Sequence, residues 1–380
     1  MVSDGSVLII DGLIIFFLSI FFIQIIKKYA RDLHLIDIPN VRSSHSSPTP
    51  TGAGIAFVLS FFLVVLFFHF NLFSQYFPFF IALFIVFALG VYDDIKGSSA
   101  KFKLLIIALA AVILFLFNGF EIKTLGNWFG YELGLPYVVS LVFTIFAVAG
   151  FTNALNLIDG LDGLAASVSF VIISALFYIG FIYNDQFIFI TSFLVLMALL
   201  AFLIFNWNPA SVFMGDSGSL SLGFIISALS IRAIDYISDT AILFIAAIPI
   251  IDTIIVMTRR IQRGISPFSP DKSHLHHKMV DLKKSIDGSV HIIVALQIIL
   301  SAVGILLRDK RDFINLALFL IILFVFFHAF DSRKEQRATL LITKIKTYYT
   351  DNIKDKIRFD IVYFVGGILL LLFIIRFVMS

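Results

Sequence analysis

The sequence contains no cysteine and few charged residues, and both shortages narrow the class of protein. Without cysteine the chain has no disulfide framework, no thiolate nucleophile and no thiolate metal site. Only 14% of its 380 residues are charged, whereas 60% are hydrophobic; soluble domains average roughly a quarter charged residues. The mean hydropathy is +1.02. We therefore expect an integral membrane protein, and the small net charge of +3 gives little further information.

Repeated apolar runs approach the roughly 20 residues that a helical membrane span requires. We predict an all-α, polytopic transmembrane protein with 11 or 12 spans, no soluble domain and no clear internal repeat. The first six residues carry no Lys or Arg, so the first span is expected to be retained rather than removed as a signal peptide. The predicted spans cover about residues 8–26, 55–70, 78–92, 103–118, 137–155, 164–183, 187–205, 218–234, 241–258, 290–307, 313–330 and 361–378.

Lys and Arg are unevenly distributed between the segments that would face the two sides of the membrane. With Met1 outside, the inward segments hold 22 of the 28 basic residues. The positive-inside rule then predicts an external N-terminus and a cytoplasmic location for these segments. Residues 331–360 are rich in Lys and Arg. We expect them to form either an amphipathic helix on the anionic inner leaflet or a solvated linker. We divide the chain into a polytopic unit, 1–330, and an extension, 331–380, with the last predicted span.

Polar clusters interrupt the apolar sequence at four places, and the predicted topology puts all four on the cytoplasmic side. The first, Asp93-Asp94, ends the third span, where the helix dipole disfavours anions, so neither carboxylate is expected to cap a helix. Such a pair can hold Mg²⁺, or one member can take a proton while the other stays ionised. A solvated turn at the membrane boundary is the alternative.

The second cluster is more specific. Four polar side chains recur at intervals of three, which a helical turn would align on one face: Asn153, Asn156, Asp159 and Asp162. Two Asp-Gly steps then predict a tight turn with available backbone N–H groups. Because the segment has no Lys or Arg, the acids favour a bound cation over a simple polar turn, although the spacing is not that of an EF-hand.

The third cluster, residues 206–219, also lacks Lys and Arg. Gly215-Asp216-Ser217-Gly218-Ser219 places a carboxylate among glycines and hydroxyls, a loop that can approach a phosphate or metal closely. Phe213 and Trp207 could supply a stacking face for a ring. An ordinary Gly/Ser turn before the eighth span is the alternative, and a serine-hydrolase elbow is excluded because no strand precedes it.

The fourth cluster follows a basic helix end and contains His274-Leu275-His276-His277. Three histidines in four residues suit a transition metal, but the lack of cysteine and the surrounding basic residues favour phosphate recognition. Together the clusters offer acids for a divalent cation, a glycine-rich loop, an aromatic face and a basic loop. This combination is typical of phosphoryl transfer between diphosphate-type substrates.

These motifs, in this order, resemble those of the polyprenyl-phosphate N-acetylhexosamine-1-phosphate transferases of glycosyltransferase family 4, which include the phospho-N-acetylmuramoyl-pentapeptide transferases. The resemblance runs from about Asp37 to Lys278. Its most specific parts are Asn-Ala-Leu-Asn-Leu-Ile-Asp-Gly-Leu-Asp-Gly-Leu-Ala at 153–165 and His-Leu-His-His at 274–277. Two positions depart from the pattern: Gly97 replaces an acid of many relatives, and Thr51 replaces a basic residue.

The resemblance implies a reaction and a set of roles. A polyprenyl phosphate oxygen attacks the sugar-bearing phosphorus of a UDP-N-acetylhexosamine, and UMP leaves. Mg²⁺, or Mn²⁺ in its place, is implied at Asn156 and Asp216, and the lipid phosphate at the catalytic pair Asp93 and Asp94. The nucleotide site is implied to comprise Asp159, Asp162, Asn206 and Phe213. The sugar phosphate is implied to face Arg263, His274, His276 and His277.

The resemblance also implies a setting: the bacterial cytoplasmic membrane, undecaprenyl phosphate and bilayer lipids as partners, homodimerisation, and no nucleic acid. Ile38-Pro39-Asn40 with Arg42-Ser43-Ser44-His45, together with His-Leu-His-His, favours the branch that begins O-antigen and related polymers, with UDP-GlcNAc as donor. The alternatives are the pentapeptide transferase, an inactive scaffold of the same fold, and a transporter. Transporters tend to place polar groups near the bilayer midplane within repeats, unlike the clusters here.

Overall fold

The computed structural model describes residues 5–39, 47–116, 120–267, 274–283 and 285–329. The described residues form fourteen helices and four short strands, which turns and loops connect. The helices are α1 Gly5–Tyr29, α2 Ala53–Phe68, α3 Phe70–Gln75, α4 Phe77–Lys96, α5 Ala100–Phe115, α6 Tyr137–Ile158, α7 Leu164–Ile182, α8 Gln186–Asn206, α9 Asp216–Ala233, α10 Ala241–Ile245, α11 Ala247–Gln262, α12 Leu275–Lys283, α13 Ile286–Leu306 and α14 Asp312–Ala329. The strands are β1 Ile36–Asp37, β2 Thr49–Pro50, β3 Thr124–Trp128 and β4 Tyr131–Gly134.

The all-α, polytopic membrane fold predicted from the apolar runs is confirmed. Within the described residues, seven helices are long and apolar enough to cross a membrane: α1, α4, α6, α7, α8, α13 and α14. Eleven of the predicted spans coincide with helical segments. The predicted span 361–378 and the basic segment 331–360 lie outside the described residues, as do Asn40 and the Arg42–His45 motif.

Helix α9 forms the centre of the bundle. It packs against α2, α4, α6 and α7, and nearly all of its residues are buried. Its sequence allows this because glycine and serine let neighbouring helices approach closely. Two of the serine hydroxyls donate to backbone carbonyls one turn earlier in the helix, Ser221 to Ser217 at 2.6 Å and Ser227 to Gly223 at 2.8 Å. The first residue of this central helix is Asp216, so the bundle itself positions one of the predicted site residues.

A β-hairpin lies at the opposite end of α9 from Asp216. Strands β3 and β4 pair antiparallel and form this hairpin between α5 and α6. The Thr124 hydroxyl donates to Asp239, which follows the C-terminus of α9, at 2.5 Å. The Asn127 backbone N–H donates to Asp312 at 2.8 Å. These bonds hold the hairpin against the bundle, away from the acidic clusters.

Candidate active site

The C-terminus of α4 meets the N-terminus of α9 through Asp94. Its carboxylate accepts hydrogen bonds from the backbone N–H groups of Asp216, at 2.6 Å, and Ser217, at 3.1 Å. Close approach is possible because Gly90 has no side chain, and a Cβ there would overlap the backbone of Ser217. The expectation that neither carboxylate of the pair caps a helix is therefore wrong for Asp94. It caps α9 from across the bundle, where the helix dipole favours an anion.

Lys103, near the start of α5, contacts two of the carboxylates that meet here. We call Asp93, Asp94 and Asp216 together the acidic centre. Its ammonium lies 2.8 Å from Asp93 and also contacts the Asp216 carboxylate. The Ser98 hydroxyl donates a further hydrogen bond to Asp93. Sequence reasoning did not single out this lysine. The available signal was a basic residue at the edge of an apolar helix, ten residues after Asp93. The positive charge offsets the repulsion between the two carboxylates.

Asn156, in the last turn of α6, brings a third helix to the centre. Its amide nitrogen donates to the carboxylate of Asp216 and to the hydroxyl of Ser219, both at 2.9 Å. Among the described residues, no three or more His, Cys, Asp or Glu side chains form a group suited to holding a metal ion. Mg²⁺ usually binds proteins through one or two carboxylates plus substrate phosphates and water. The all-oxygen donors of Asp216, Asn156 and Asp93 fit that ion.

The Asp-Gly turn after α6 is fixed to the loop after α8. Asn206, which is buried, accepts a hydrogen bond from the Gly163 backbone N–H at 3.0 Å, and its amide nitrogen donates to a loop carbonyl. Asp162 accepts from the Ala210 backbone N–H at 2.9 Å. Helix α6 ends at the first Asp-Gly step, as the sequence predicted. The structure thus gives Asn206 and Asp162 bonds that hold two loops of the site together.

Asp159 is the C-terminal cap of α6 and faces the acidic centre. Burial, together with the negative charges of Asp216, Asp94 and Asp162, raises the pKa of its carboxyl to about 7. Such a concentration of carboxylates favours a bound cation, because a cation would relieve their mutual repulsion. The cation site that the absence of basic residues in this segment favours stays a prediction.

Phe213 lies on the loop that leads into α9, and this loop pairs with the segment before α2. Its backbone N–H donates to the Pro50 carbonyl at 2.8 Å, and its carbonyl accepts from the Ala53 N–H at 3.0 Å. Its side chain is partly exposed. Trp207, at the other end of the loop, is 44% exposed, and its ring lies 5.6 Å from that of His291. The two aromatic rings proposed for stacking therefore stay accessible at the site.

Asp252 of α11 anchors the histidine segment. Its carboxylate lies 2.8 Å from His274 Nδ1 and accepts from the Leu275 backbone N–H at 2.6 Å. Arg260 lies 3.4 Å from His274 Nε2, and because arginine only donates, the ring proton is assigned to Nδ1. Sequence reasoning missed Asp252, although an acid inside an apolar span is a signal of function. Residues 268–273, which directly precede His274, lie outside the described residues.

His276 brings the histidine segment to the Asp-Gly turn. It packs on Gly160 so closely that a Cβ there would lie 2.5 Å from Nε2. Its ring stacks on His274 at 5.6 Å, and that of His277 lies 4.2 Å away. Burial lowers the pKa of His276 to about 3, so the ring is neutral near pH 7. Arg263, by contrast, is exposed and caps the end of α11.

The structure thus brings eleven of the twelve predicted site residues to one end of the bundle, through direct contacts or through a shared turn or loop. The twelfth, Arg263, lies at the margin of that end.

The family model for glycosyl transferase family 4 matches residues 76–234. The chain is 32% identical to a probable undecaprenyl-phosphate N-acetylglucosaminyl 1-phosphate transferase of Bacillus subtilis, over 86% of this chain and 92% of the relative.

The chain belongs to glycosyl transferase family 4. The family predicted from the motifs is therefore confirmed. Undecaprenyl-phosphate alpha-N-acetylglucosaminyl 1-phosphate transferases provide further similar relatives. The Salmonella typhi protein is 31% identical over 82% of this chain and 88% of its own length. The Escherichia coli K12 protein is 29% identical over 83% of this chain and 89% of its own length. The matches therefore cover most of the chain, well beyond the motifs.

Proposed function

We propose that this family-4 chain transfers N-acetylglucosamine 1-phosphate from UDP-GlcNAc to undecaprenyl phosphate and so starts a cell-surface glycan. The observation that carries the proposal is the convergence of Asp94, Asp216 and Asn156 at the meeting point of three helices. The names of the relatives, which are transferases of this kind, support the same donor and acceptor. UDP-MurNAc-pentapeptide remains the alternative donor, and no feature of the described part of the site favours it.

In the proposed reaction a phosphate oxygen of the lipid forms a bond to the sugar-bearing phosphorus. The bond from that phosphorus to the UMP oxygen breaks, and UMP leaves with the electron pair. A phosphate monoester has its second pKa near 6, so the lipid phosphate is largely ionised at neutral pH and strong base catalysis is hardly needed. We therefore assign Asp93 and Asp94 to positioning and charge control more than to proton abstraction.

Mg²⁺ is the proposed cofactor, held by Asp216 and Asn156 together with the diphosphate. When bound, it supplies charge neutralisation for the diphosphate and the leaving group. Lys103 already neutralises part of the same acidic centre, since it contacts both Asp93 and Asp216.

The histidine segment is the proposed partner of the sugar phosphate. Neutral His276 can donate or accept a hydrogen bond without adding charge, and His277 lies beside it. The uracil is proposed to stack on Phe213 near the loop fixed by Asn206. A matching role for Asp159 and Asp162 in the nucleotide site stays a prediction, as does the contribution of exposed Arg263.

The proposed setting is the bacterial cytoplasmic membrane with the site facing the cytoplasm. The distribution of Lys and Arg along the sequence supports this orientation. A site at a membrane edge lets a lipid headgroup and a nucleotide sugar react without moving either across the bilayer. Single cysteines introduced at Lys101 and Tyr131, into a chain that has none, would test it. An impermeant thiol reagent added to intact cells should label position 131 and spare position 101. Homodimerisation stays a prediction.

The experiment that tests the reaction is UMP release by the purified full chain with undecaprenyl phosphate, Mg²⁺ and a set of UDP-N-acetylhexosamines. We expect release that depends on the lipid, is abolished by EDTA and is fastest with UDP-GlcNAc. Asp216→Asn should lower kcat about a hundredfold or more. Asp235→Asn, which changes an exposed acid at the other end of the bundle, is the matched control.

Three outcomes would contradict the proposal. Turnover of UDP-MurNAc-pentapeptide alone would favour the peptidoglycan branch of the family. Full activity of Asp216→Asn would remove the acidic centre from the mechanism. Folded protein that releases no UMP with any donor would favour an inactive scaffold, or a transporter if proteoliposomes showed substrate flux.

A further inference from the structure

The predicted ninth span is two helices, and the reason lies in its sequence. Helix α10 ends at Ile245 and α11 begins at Ala247, with Ala246 at φ −110° and ψ 29° between them. Pro249 has no backbone N–H, so it cannot donate the i→i−4 hydrogen bond that the Ile245 carbonyl would accept in a continuous helix. The break also removes the helical acceptor of the Ile248 N–H. Two backbone groups in an apolar environment are thereby left without helical partners.

A single side chain of α13 satisfies both groups. Gln297 accepts from the Ile248 N–H at 2.9 Å through Oε1 and donates to the Ile245 carbonyl at 2.7 Å through Nε2. Ser301, one turn later, donates to the same carbonyl at 2.9 Å and accepts from Gln297 at 2.8 Å. Both side chains are buried, Gln297 completely. Unsatisfied backbone groups are unfavourable in a membrane, so this amide favours the bent form of the segment.

Helix α13 is able to reach the break because of Gly304. A Cβ at that position would lie 2.8 Å from the Ile245 side chain and 2.9 Å from the Ala241 carbonyl. The close contact between α13 and α10 thus depends on the missing side chain. Gln297 and Ser301 are then held at the height of the break, where the free carbonyl and N–H lie.

The bend determines where α11 delivers its polar residues. Asp252 lies one turn after Ile248 and binds the His274 ring and the Leu275 N–H. His276, two residues further along, packs on Gly160 beside the acidic centre. A change in the angle between α10 and α11 would therefore move the histidine segment relative to the acids. This path from Gln297 to the site consists of direct contacts and one helical turn.

We propose that Gln297 is a positioning residue for the transfer reaction: by bonding both free backbone groups at the break, it fixes the bend that holds the histidine segment over the acidic centre. This inference rests on the proposed function for its kinetic consequence only. The bend itself is a property of the fold and is measurable without substrate. The side-chain hydrogen bonds of Gln297 go to Ile245, Ile248 and Ser301, so the proposed effect acts through the break and α11.

The test combines a distance measurement with kinetics. Cysteines replacing Ile204 on α8 and Ile261 on α11, both 61% exposed, would be the only thiols in the chain and would carry spin labels. Gln297→Leu should shift or broaden the distance distribution between the labels. It should also lower kcat/KM for UDP-GlcNAc about 10- to 100-fold, since a misplacement of about 1 Å can have that effect. The KM for undecaprenyl phosphate should change little.

Gln297→Glu supplies a second readout that a merely structural role would not produce. A protonated carboxyl can accept from Ile248 and donate to Ile245 as the amide does, whereas an ionised one has no donor. Activity and label distance, each relative to the unsubstituted protein, should therefore approach normal as pH falls and depart from it as pH rises. This variant also carries the test if Gln297→Leu does not fold.

Two substitutions on the same helix serve as controls. Ser301→Ala leaves both Gln297 bonds to the break in place and should keep the label distance. Ser289→Ala removes a hydrogen bond to the Ser285 carbonyl at the N-terminal end of α13, far from the break, and should change neither readout. A folded Gln297→Leu variant with normal distance or normal kcat/KM, or a Gln297→Glu variant whose relative behaviour is independent of pH, would overturn the proposal.

If the unsubstituted protein releases no UMP with any donor, the proposed function fails by itself. The label distances then still decide whether Gln297 fixes the bend, because they require no substrate. The two failures are therefore distinguishable. A normal distance in Gln297→Leu, combined with normal UMP release, would leave the proposed function intact and remove Gln297 from it.

Discussion

Replacing Lys103 by methionine should make the stability of the protein depend on a divalent cation. The substitution keeps an unbranched apolar stem and removes the ammonium that contacts Asp93 and Asp216. Without it, two carboxylates that face each other lose their shared counter-charge. A bound cation would then take over the neutralisation, so Mg²⁺ should stabilise the variant more than the unsubstituted protein.

The burial of the three side chains gives the size of the effect. Lys103, Asp93 and Asp216 are 18%, 14% and 23% exposed, respectively. Removing one partner of a fully buried ion pair costs about 3–5 kcal/mol, and the remaining exposure reduces this to about 2–3 kcal/mol. At roughly 2 cal/mol/K of unfolding entropy per residue, the loss corresponds to roughly 3–4 °C in Tm for a chain of this length. Mg²⁺ at a hundred times its Kd would restore about 2.7 kcal/mol.

The assay is thermal unfolding of detergent-solubilised protein, followed by intrinsic fluorescence, in EDTA and in a series of Mg²⁺ concentrations. Lys101→Met is the matched control, because that lysine is on the same helix and exposed. We expect a lower Tm for Lys103→Met in EDTA and a larger rise with Mg²⁺. A Tm equal to that of the control, or a rise no larger than in the unsubstituted protein, would refute the reasoning.

Three further predictions concern single positions. Gly54→Ala should abolish folding or activity, because a Cβ there would overlap the backbone of Gly218. Gly150→Ala, on an open part of α6, should be tolerated. Expression and UMP release of the two variants would test the difference. Asp94→Ala should lower the stability by about 1–2 kcal/mol through loss of the α9 cap, and Asp94→Asn by less, which Tm values in EDTA would measure. Burial, with the nearby Asp312 carboxylate, raises the pKa of Asp239 from 3.8 to about 6. The folded state therefore binds the Asp239 proton more tightly than the unfolded state does. The stability of the protein should fall as the pH rises from about 4 to about 6. Asp239→Asn should therefore raise Tm relative to the unsubstituted protein at pH 8 and make no difference near pH 4; an equal difference at both values would contradict the assignment.

The sequence by itself determined the fold class and the ends of the helices that carry the acids. Long apolar runs allow only helices in a bilayer, because every backbone group must find a partner within its own segment. Asp-Gly steps and Gly215 end or begin helices through local backbone preferences. The positions of Asp159 and Asp216 at helix ends were therefore predictable from neighbours along the chain. The order of the motifs was enough to predict the family.

Only the tertiary structure decided which side chains meet. Lys103 and Asp216 are 113 residues apart, and Asp94 lies 122 residues from the backbone N–H it caps. Spacing along one helix contains no information about the partner helix, so the capping role of Asp94 was predicted wrongly and Lys103 was missed. Gln297 likewise acts on a break 49 to 52 residues earlier in the chain. Helix packing brings these groups together because the free backbone and charged groups have no other partners in an apolar surrounding.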